Sequence, residues 1–346
     1  MLLGDPLVGA VDRPRKLGVA LLGLGNYANS QLRPALKLTE YCRLAGVVTG
    51  SAQKGQGWAR NYGFSDSSVY HYDEMDRLAD DPEIDIVYVV TPNALHAEHA
   101  IKAAEAGKHV ICEKPFTVSV AEADEVIAVC RDMGVKLSLG YRLHFDPFHE
   151  VLRESVRSGA VGPYETMDTE FSFMMKGRPW RAIKSLAGGG PLMDLGVYLI
   201  QEACMATGEI APVAVSARQL PKMNPEVFQD VEETLEFTLE FPEGQVCQAK
   251  TSYHGRANRF RADAPRGWFE ISPAFGYQGQ VAATHRGPVV AVPVNQQALQ
   301  MDDFARCILD DRESIIGGKM GRRDMVIIEA IYRAMETGER VPIIGA

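Results

Sequence analysis

The sequence predicts an α/β protein, with a doubly wound parallel sheet first and then an α+β unit built on a large, mostly antiparallel open sheet. Three observations carry that expectation. From Leu17 onward, short apolar runs alternate with stretches whose apolar residues recur every third or fourth position, the pattern of βαβ units. After Tyr141 the pattern changes to longer alternating segments at close intervals, as in an antiparallel sheet. The length of 346 residues, 46% hydrophobic and 23% charged, suits two domains with separate cores.

Residues 1–15 mix Gly, Asp and Pro without periodicity and are expected to form a flexible arm. In the first domain, residues 16–141, strands are expected at Leu17–Gly23, Leu44–Thr49, Ile86–Thr91, His109–Cys112 and Lys136–Tyr141. Helices are expected between them at Gln31–Leu38, Gln56–Tyr62, Asp73–Ala79, Ala94–Ala106 and Val120–Met133. The second domain, residues 142–346, opens with a helix at Pro147–Ser158. Strands follow near Tyr164–Met175, Val213–Leu220, Glu232–Phe241, Gln245–Tyr253, Arg259–Ala262 and Gly267–Ile271. Helices at Leu299–Asp310 and Arg323–Thr337 close the chain and are expected to pack back on the first domain. One face of the second sheet needs a cover, so a homo-oligomer is expected through it, a dimer being favoured.

Composition narrows the function classes. A net charge of −9 and a pI near 5.5 argue against nucleic acid, which needs a basic face to release counterions. No apolar run reaches the roughly 20 residues that a membrane-spanning helix requires. The six cysteines are scattered without paired spacing, so neither a zinc site nor a disulfide framework is indicated and a reducing cytoplasm is expected. Arg13, Arg15 and Lys16 before Leu17–Leu24 superficially resemble a signal peptide, but that apolar run is short and leads straight into a glycine motif. It reads as the first strand.

That motif is Gly23-Leu24-Gly25-Asn26-Tyr27-Ala28, a G-x-G-x-x-A form of the dinucleotide fingerprint of Rossmann domains. The first glycine permits the tight turn, the second lets backbone approach a pyrophosphate, and the small third residue lets helix and strand pack closely. An acidic residue at the end of the second strand would bind the ribose hydroxyls of NAD. Here that stretch is Thr49-Gly50-Ser51-Ala52-Gln53-Lys54, without a carboxylate, so two hydroxyls and a lysine favour the 2′-phosphate of NADP(H). A plain loop with an exposed lysine fits the same residues. Two more strand ends, Thr91-Pro92-Asn93 followed by His96, and Glu113-Lys114-Pro115, fall at the same edge. His96 is expected to face the cofactor and His99 the surface. No third ligand stands near them, so no metal site is expected.

Hydride transfer from an alcohol carbon to a nicotinamide leaves an oxygen that must lose its proton, which calls for a base and a steadying cation. Lys114 supplies the cation. Asp194 and Tyr198 in Gly188-Gly189-Gly190-Pro191-Leu192-Met193-Asp194-Leu195-Gly196-Val197-Tyr198 fall on one face of a helix that begins at Pro191. Each also fits a structural role: a solvated lysine, a helix-start carboxylate and a half-buried aromatic.

With these motifs, and with Gly140-Tyr141-Arg142 and Ala187-Gly188-Gly189-Gly190, the chain resembles the glucose-fructose oxidoreductase/inositol dehydrogenase/rhizopine-catabolism (Gfo/Idh/MocA) family from about Leu17 to Pro342. Within it, Thr49–Lys54, Asn93–Glu98, Tyr141–Pro147 and Pro191–Asp194 are most similar to the glucose-fructose and aldose-aldose oxidoreductase branches. The resemblance implies that Lys114 and Asp194 position a sugar and that Tyr198 is the general acid/base. It implies that Thr49, Lys54 and Tyr72 hold the 2′-phosphate end, and that Glu113, Arg142, Trp180, Arg181 and Tyr277 hold the rest of the cofactor or line the sugar pocket. It also implies a cis Lys114–Pro115 bond. By the same likeness, an aldose is oxidised at C1 to its lactone and a second sugar is reduced to an alditol, in a ping-pong cycle on tightly bound NADP(H). One departure is noted: glucose-fructose oxidoreductase carries a twin-arginine signal and a long arm over its cofactor, whereas this sequence reads as having neither. Two alternatives stay open: an NADP-dependent sugar dehydrogenase or reductase with exchangeable cofactor, and a non-catalytic NADP(H) sensor.

Overall fold

The computed structural model describes residues 15–346. The arm expected over residues 1–15 lies, apart from Arg15, outside the described residues. The first sheet comprises β1 (Leu17–Leu22), β2 (Cys42–Val48), β3 (Val69–Tyr70), β4 (Ile86–Val89), β5 (His109–Cys112) and β6 (Leu137–Leu139). All its pairings are parallel, in the order β3-β2-β1-β4-β5-β6. The order reverses between β1 and β4, which opens a crevice at their carboxyl ends. Helices α1 (Arg33–Leu36), α2 (Ala52–Tyr62), α3 (His96–Glu105) and α4 (Val120–Asp132) connect the strands.

β1 shows why the sheet is stable. All six of its residues are buried. Because side chains alternate across a strand, Val19 and Leu21 enter one apolar cluster while Ala20 and Leu22 enter the other. Continuous apolar runs of this kind belong to sheets covered on both faces.

Three details depart from the sequence expectation. β3 is only two residues long, too short for any periodicity to mark it. The helix expected at Gln31–Leu38 begins as a wide π-type turn over Ala28–Leu32 before α1, and Pro34 lacks the N–H that an α-helix continuous from Ala28 would donate to the carbonyl four residues back. The helix expected at Asp73–Ala79 is a 3₁₀ stretch at Met75–Asp80.

After β6 come α5 (Pro147–Ser158), α6 (Lys184–Ala187) and α7 (Val197–Ala206). Asp146 caps α5 by accepting from the Phe148 N–H, and Pro147 occupies the first turn, where its missing N–H costs nothing. The second sheet contains β7 (Thr166–Ser172), β8 (Ala214–Gln219), β9 (Thr234–Glu240), β10 (Val246–Ser252), β11 (Asn258–Ala264), β12 (Gly267–Ser272), β13 (Val281–Thr284), β14 (Gly287–Pro288) and β15 (Val341–Pro342). Its order is β14-β13-β12-β11-β7-β10-β9-β8-β15. Within this sheet, among the described residues, only β7 and β10 pair parallel. The short β13, β14 and β15 carry too little pattern to be read from sequence. Buried Leu235, Phe237 and Leu239 alternate along β9 with partly exposed polar residues, and α7, buried along its whole length, packs against β7 of the same sheet.

The closing helices α8 (Gln296–Leu309) and α9 (Gly318–Thr337) begin earlier than the sequence pattern indicates. Met301 and Phe304 of α8 share a cluster with Val19 and Leu21 of β1. The Asp302 carboxylate accepts the backbone N–H groups of Glu40 and Tyr41, both at 2.8 Å, which fastens α8 to the entry of β2. α9 packs against α4, β6 and β8. No helix among the described residues is long and apolar enough to cross a membrane. All six cysteines are buried free thiols.

Phe304 is fully buried between α8 and the first sheet. Phe304→Ala is expected to cost about 3–5 kcal/mol. Urea denaturation checks this: the midpoint should fall with little change in slope, and an unchanged midpoint would show that α8 contributes no packing there.

Candidate functional site

The carboxyl ends of the first sheet face the start of α7 and the loop carrying Phe275 and Tyr277 across a cleft of about 660 Å³, a size typical of ligand pockets. The glycine turn forms one wall. Gly23 has φ +101°, and a Cβ there would stand 2.8 Å from the Val90 carbonyl oxygen, so the turn tolerates no side chain. A Cβ on Gly25 would meet no protein atom within 4 Å. It would instead fill space in the cleft, a cradle open to a ligand that approaches backbone closely. Asn26 and Tyr27 continue this wall.

Thr49, Lys54 and Tyr72 also line the cleft. Lys54 donates its Nζ to the Leu24 carbonyl, which draws the end of β2 toward the glycine turn. Gly50 and Ser51, expected to touch a cofactor directly, are not in the lining. Ser51 caps α2 by accepting from the Lys54 N–H at 3.3 Å, and Gly50 lies against the Tyr72 ring. Their contribution is to seat Lys54 and Tyr72.

His99 corrects another expectation. It is buried, stacked on Tyr72 with ring centroids 5.3 Å apart, and its Nδ1 lies 3.1 Å from Thr91 Oγ1. It sits on the inward face of α3 among buried alanines, a face that a short alanine-rich helix leaves ambiguous in sequence. His96 lines the cleft, with Nδ1 2.8 Å from the Pro115 carbonyl oxygen and Nε2 3.0 Å from that of Thr91. Burial pushes its imidazole below the ordinary value. Asn93 donates to the Ala187 carbonyl at 2.9 Å and so ties the end of β4 to the residues before α7.

The remaining candidates gather at the other end of the cleft. Glu113, buried, accepts from Tyr88 Oη at 2.8 Å and from the Lys114 N–H at 3.1 Å. Burial raises its carboxyl, with Lys114 opposing. The Lys114–Pro115 bond is cis. Lys114 Nζ donates to the Asp194 carbonyl at 2.8 Å and to Asp194 Oδ1 at 3.2 Å. Asp194 Oδ2 lies 3.1 Å from Arg181 Nε and accepts from Tyr253 Oη at 3.3 Å. Burial alone would raise the Asp194 carboxyl, but Lys114 and Arg181 outweigh it and hold it below the usual carboxylate range. Burial likewise opposes the Lys114 charge, yet Tyr198, Asp194 and Glu113 hold the ammonium above its ordinary value.

Asp194 and Tyr198 both line the cleft, although the segment does not begin as a regular helix: a wide π-type turn spans Leu192–Gly196 and α7 follows. Lys114 Nζ lies 4.7 Å, and Arg142 Cζ 5.1 Å, from the centre of the Tyr198 ring. Arg142 is buried and spends its Nη donors on the carbonyls of Gly276 (3.2 Å) and Phe275 (2.7 Å) and on Gln296. It also stacks on Tyr277, 4.4 Å from the ring centre. Trp180 and Arg181 pair face to cation at 4.4 Å on the facing wall.

Several supporting residues escaped the sequence reading. Tyr253 and the ring walls Phe171 and Phe275, 5.8 and 5.9 Å from the Tyr198 ring, look like ordinary core aromatics in sequence. Glu232 accepts the N–H groups of Gly190 (2.9 Å) and Leu192 (3.0 Å), which fixes the backbone that presents Asp194. Its only signal is an acid at the head of a buried strand, which demands a partner. Behind Arg142, Gln296 donates to Asp146 at 3.0 Å, Asp146 pairs with His149 at 3.1 Å, and His149 pairs with Glu202 at 3.0 Å, all buried. Among the described residues, no group of three His, Cys, Asp or Glu side chains is placed to hold a metal ion.

Comparison with known proteins places these features in a wider set. Residues 17–141 match the oxidoreductase family with an NAD-binding Rossmann fold, and residues 149–272 match the GFO/IDH/MocA C-terminal domain. The solved structure of aldose-aldose oxidoreductase from Caulobacter crescentus, complexed with glycerol, is 41% identical with a TM-score of 0.92, covering 95% of this chain and 100% of that one. D-xylose 1-dehydrogenase (NADP(+)) of Haloarcula marismortui is 29% identical, over 96% of this chain and 94% of that protein. D-glucoside 3-dehydrogenase of Escherichia coli is 26% identical, over 94% and 97%.

The chain of buried groups behind Arg142 yields a pH prediction. Burial opposes the charge on His149, but Asp146 and Glu202 outweigh it and push the imidazole from 6.5 up to about 9. Its stabilising charge is therefore fully present below pH 6.5 and is lost as pH rises through about 9, a change on the order of 3 kcal/mol. Urea denaturation across that window should show the loss, and His149→Gln should flatten it. A wild-type profile with no fall would mean that the imidazole is neutral in the folded protein.

Proposed function

This chain belongs to the Gfo/Idh/MocA oxidoreductase family, and on that premise we propose that it is an NADP(H)-dependent aldose oxidoreductase. The observation that carries the reading is the Lys114–Asp194 pair set against the Tyr198 ring, in the same cleft as the glycine turn. The whole-length likeness to an aldose-aldose oxidoreductase and to an NADP-named xylose dehydrogenase supports a sugar as substrate.

The residues present suit a dinucleotide. The Gly25 cradle accepts a pyrophosphate, and Thr49, Lys54 and Tyr72 offer donors and a cation to a 2′-phosphate, with Ser51 and Gly50 holding them in place. Asn26, Tyr27, Thr91, Asn93, His96, Glu113, Trp180, Arg181 and Tyr277 line the remainder. When bound, the nucleotide supplies a hydride acceptor and donor. Lys114 and Asp194 then orient the sugar hydroxyl, and Tyr198 takes or returns its proton. Charge developing on the Tyr198 oxygen is steadied by the cations of Lys114 and Arg142, which lie 4.7 and 5.1 Å from the ring centre. The reading includes oxidation of an aldose at C1 to the lactone, reduction of a second sugar to an alditol by the retained NADPH, and a homodimer formed through the outer face of the second sheet. The likeness to a xylose dehydrogenase favours, as a second reading, a cofactor that exchanges with solution.

Tyr198→Phe and Lys114→Ala are expected to cut hydride transfer roughly a hundredfold or more with the fold preserved. Single-turnover absorbance near 340 nm and circular dichroism check this; sugar-dependent rates unchanged in both variants would exclude the assignment. That absorbance, persisting in desalted protein after an aldose is added, would favour retained cofactor over exchange. Lys54→Glu is expected to raise the KM for NADP at least about tenfold while leaving that for NAD little changed. Equal effects on both nucleotides would remove Lys54 from the 2′-phosphate site.

A further inference from the structure

Arg142 lies between two cleft tyrosines, its Cζ 5.1 Å from the centre of the Tyr198 ring and 4.4 Å from that of Tyr277. The groups behind it come from four separate segments. Arg142 Nη1 donates to Gln296 Oε1 at the start of α8, and Gln296 Nε2 donates to Asp146 Oδ2 at 3.0 Å. Asp146 stands just before α5. The same oxygen takes His149 Nδ1 at 3.1 Å and Gln280 Nε2, from the loop after β12, also at 3.1 Å. Gln280 donates as well to the Gly276 carbonyl at 3.0 Å, which Arg142 Nη1 shares at 3.2 Å. On its other side His149 Nε2 lies 3.0 Å from Glu202 Oε1 of α7. Arg142, Asp146, His149, Glu202 and Gln296 are each at most 3% exposed, so bulk water does not compete for these bonds.

Each bond in this chain has a fixed direction. Burial would raise the Asp146 carboxyl, but His149, the Phe148 N–H and Arg142 hold it below its ordinary range, so it only accepts. Gln296 must then turn its amide NH2 to Asp146, which leaves Oε1 for the Arg142 guanidinium, a group with donors and no acceptor. His149 must likewise present its Nδ1 hydrogen to Asp146. A second carboxylate at Nε2 makes the ring a double donor, an imidazolium. Burial raises the Glu202 carboxyl, with His149 opposing, and a proton moved from Nε2 to Glu202 leaves the Nδ1 hydrogen where it is.

We propose that Asp146, with His149 and Glu202 behind it, is a positioning unit for the reaction: it sets Arg142 through Gln296, and the loop bearing Tyr277 through Gln280. This rests on the aldose oxidoreductase reading, in which the Arg142 cation steadies charge on Tyr198 while the proton moves. Asp146, His149 and Glu202 lie outside the cleft lining, so they act through Arg142 and Tyr277 and not on a substrate. The charges show why a histidine occupies the middle. Two buried carboxylates face two cations, Arg142 and His149, and the group is balanced. Without the His149 cation, Asp146 keeps its charge with one cation fewer and competes with the Tyr198 ring for Arg142. The unit also links two walls: a shift of Asp146 moves the guanidinium and the Gly276 carbonyl together, because Gln280 and Arg142 share that carbonyl.

A double-mutant cycle tests this. In single turnovers, His149→Gln and Gln296→Met should each slow hydride transfer roughly tenfold, and the double variant should be no slower than the slower single, because both cut one path to Arg142. Losses that multiply to about a hundredfold, or a wild-type rate in either single variant, overturn the proposal. His149→Asn, whose amide stands where Nδ1 does and keeps a donor on Asp146, should recover most of the rate. A role in packing alone would rank the variants by Tm instead, and His149→Asn as slow as His149→Gln at equal Tm counts against the unit. A crystal structure of Gln296→Met should show Arg142 displaced from the Tyr198 ring; an unmoved guanidinium overturns the linkage. Should His149→Gln fail to fold, the rate and structure of Gln296→Met decide alone. Wild-type protein that transfers hydride from no aldose fails the functional reading instead, and the place of Arg142 in Gln296→Met still decides the positioning.

Discussion

Lys114 and Asp194 meet where the end of β5 comes up against the turn before α7, and much of the site follows from the need to satisfy that buried pair. Two charges taken out of water hold only if their remaining hydrogen-bonding capacity is met. Lys114 meets it with the Asp194 carbonyl as well as the carboxylate. Asp194 meets it with Arg181 and Tyr253, which come from separate segments of the second part. The pair therefore does more than join two side chains: it ties the carboxyl edge of the first sheet to the start of α7 across the cleft.

The same requirement recurs one layer out. Glu232 holds Gly190 and Leu192 in place, and Asn93 holds Ala187, so the segment bearing Asp194 and Tyr198 is pinned at both its approach and its start. Arg142 is fixed by backbone carbonyls on one side and by Gln296, Asp146, His149 and Glu202 on the other. A cation so constrained is held beside the Tyr198 ring by the protein's own groups, the arrangement that the proposed reaction, which builds charge only briefly, would call for.

Some of the site was plain in the sequence because the chemistry is local. The turn at Gly23–Gly25, the missing carboxylate after Thr49 and the Glu113-Lys114-Pro115 strand end each depend on a few adjacent residues at the edge of one strand. Other parts were legible only in outline. Ser51 is indistinguishable from a phosphate ligand until its bond to the Lys54 N–H is seen, and His99 is indistinguishable from a surface residue until Tyr72 is found stacked on it. Glu232, Gln296 and Tyr253 act on groups dozens of residues away, and no local spacing encodes such a pairing.

The sequence by itself determined the alternation of strands and helices, the switch from a parallel to a mostly antiparallel sheet and the candidate set around Gly23, Lys54, Lys114, Asp194 and Tyr198. Periodicity and turn chemistry are properties of neighbours along the chain, and those survive in a string of letters. Only the tertiary structure decided that Lys114, Asp194 and Tyr198 line one cleft with the glycine turn, that His99 is buried against Tyr72, and that Arg142 is anchored through a buried histidine. Burial and desolvation are set by what packs from elsewhere in the chain, so the partners and charge states of these groups exist only once the two sheets have come together.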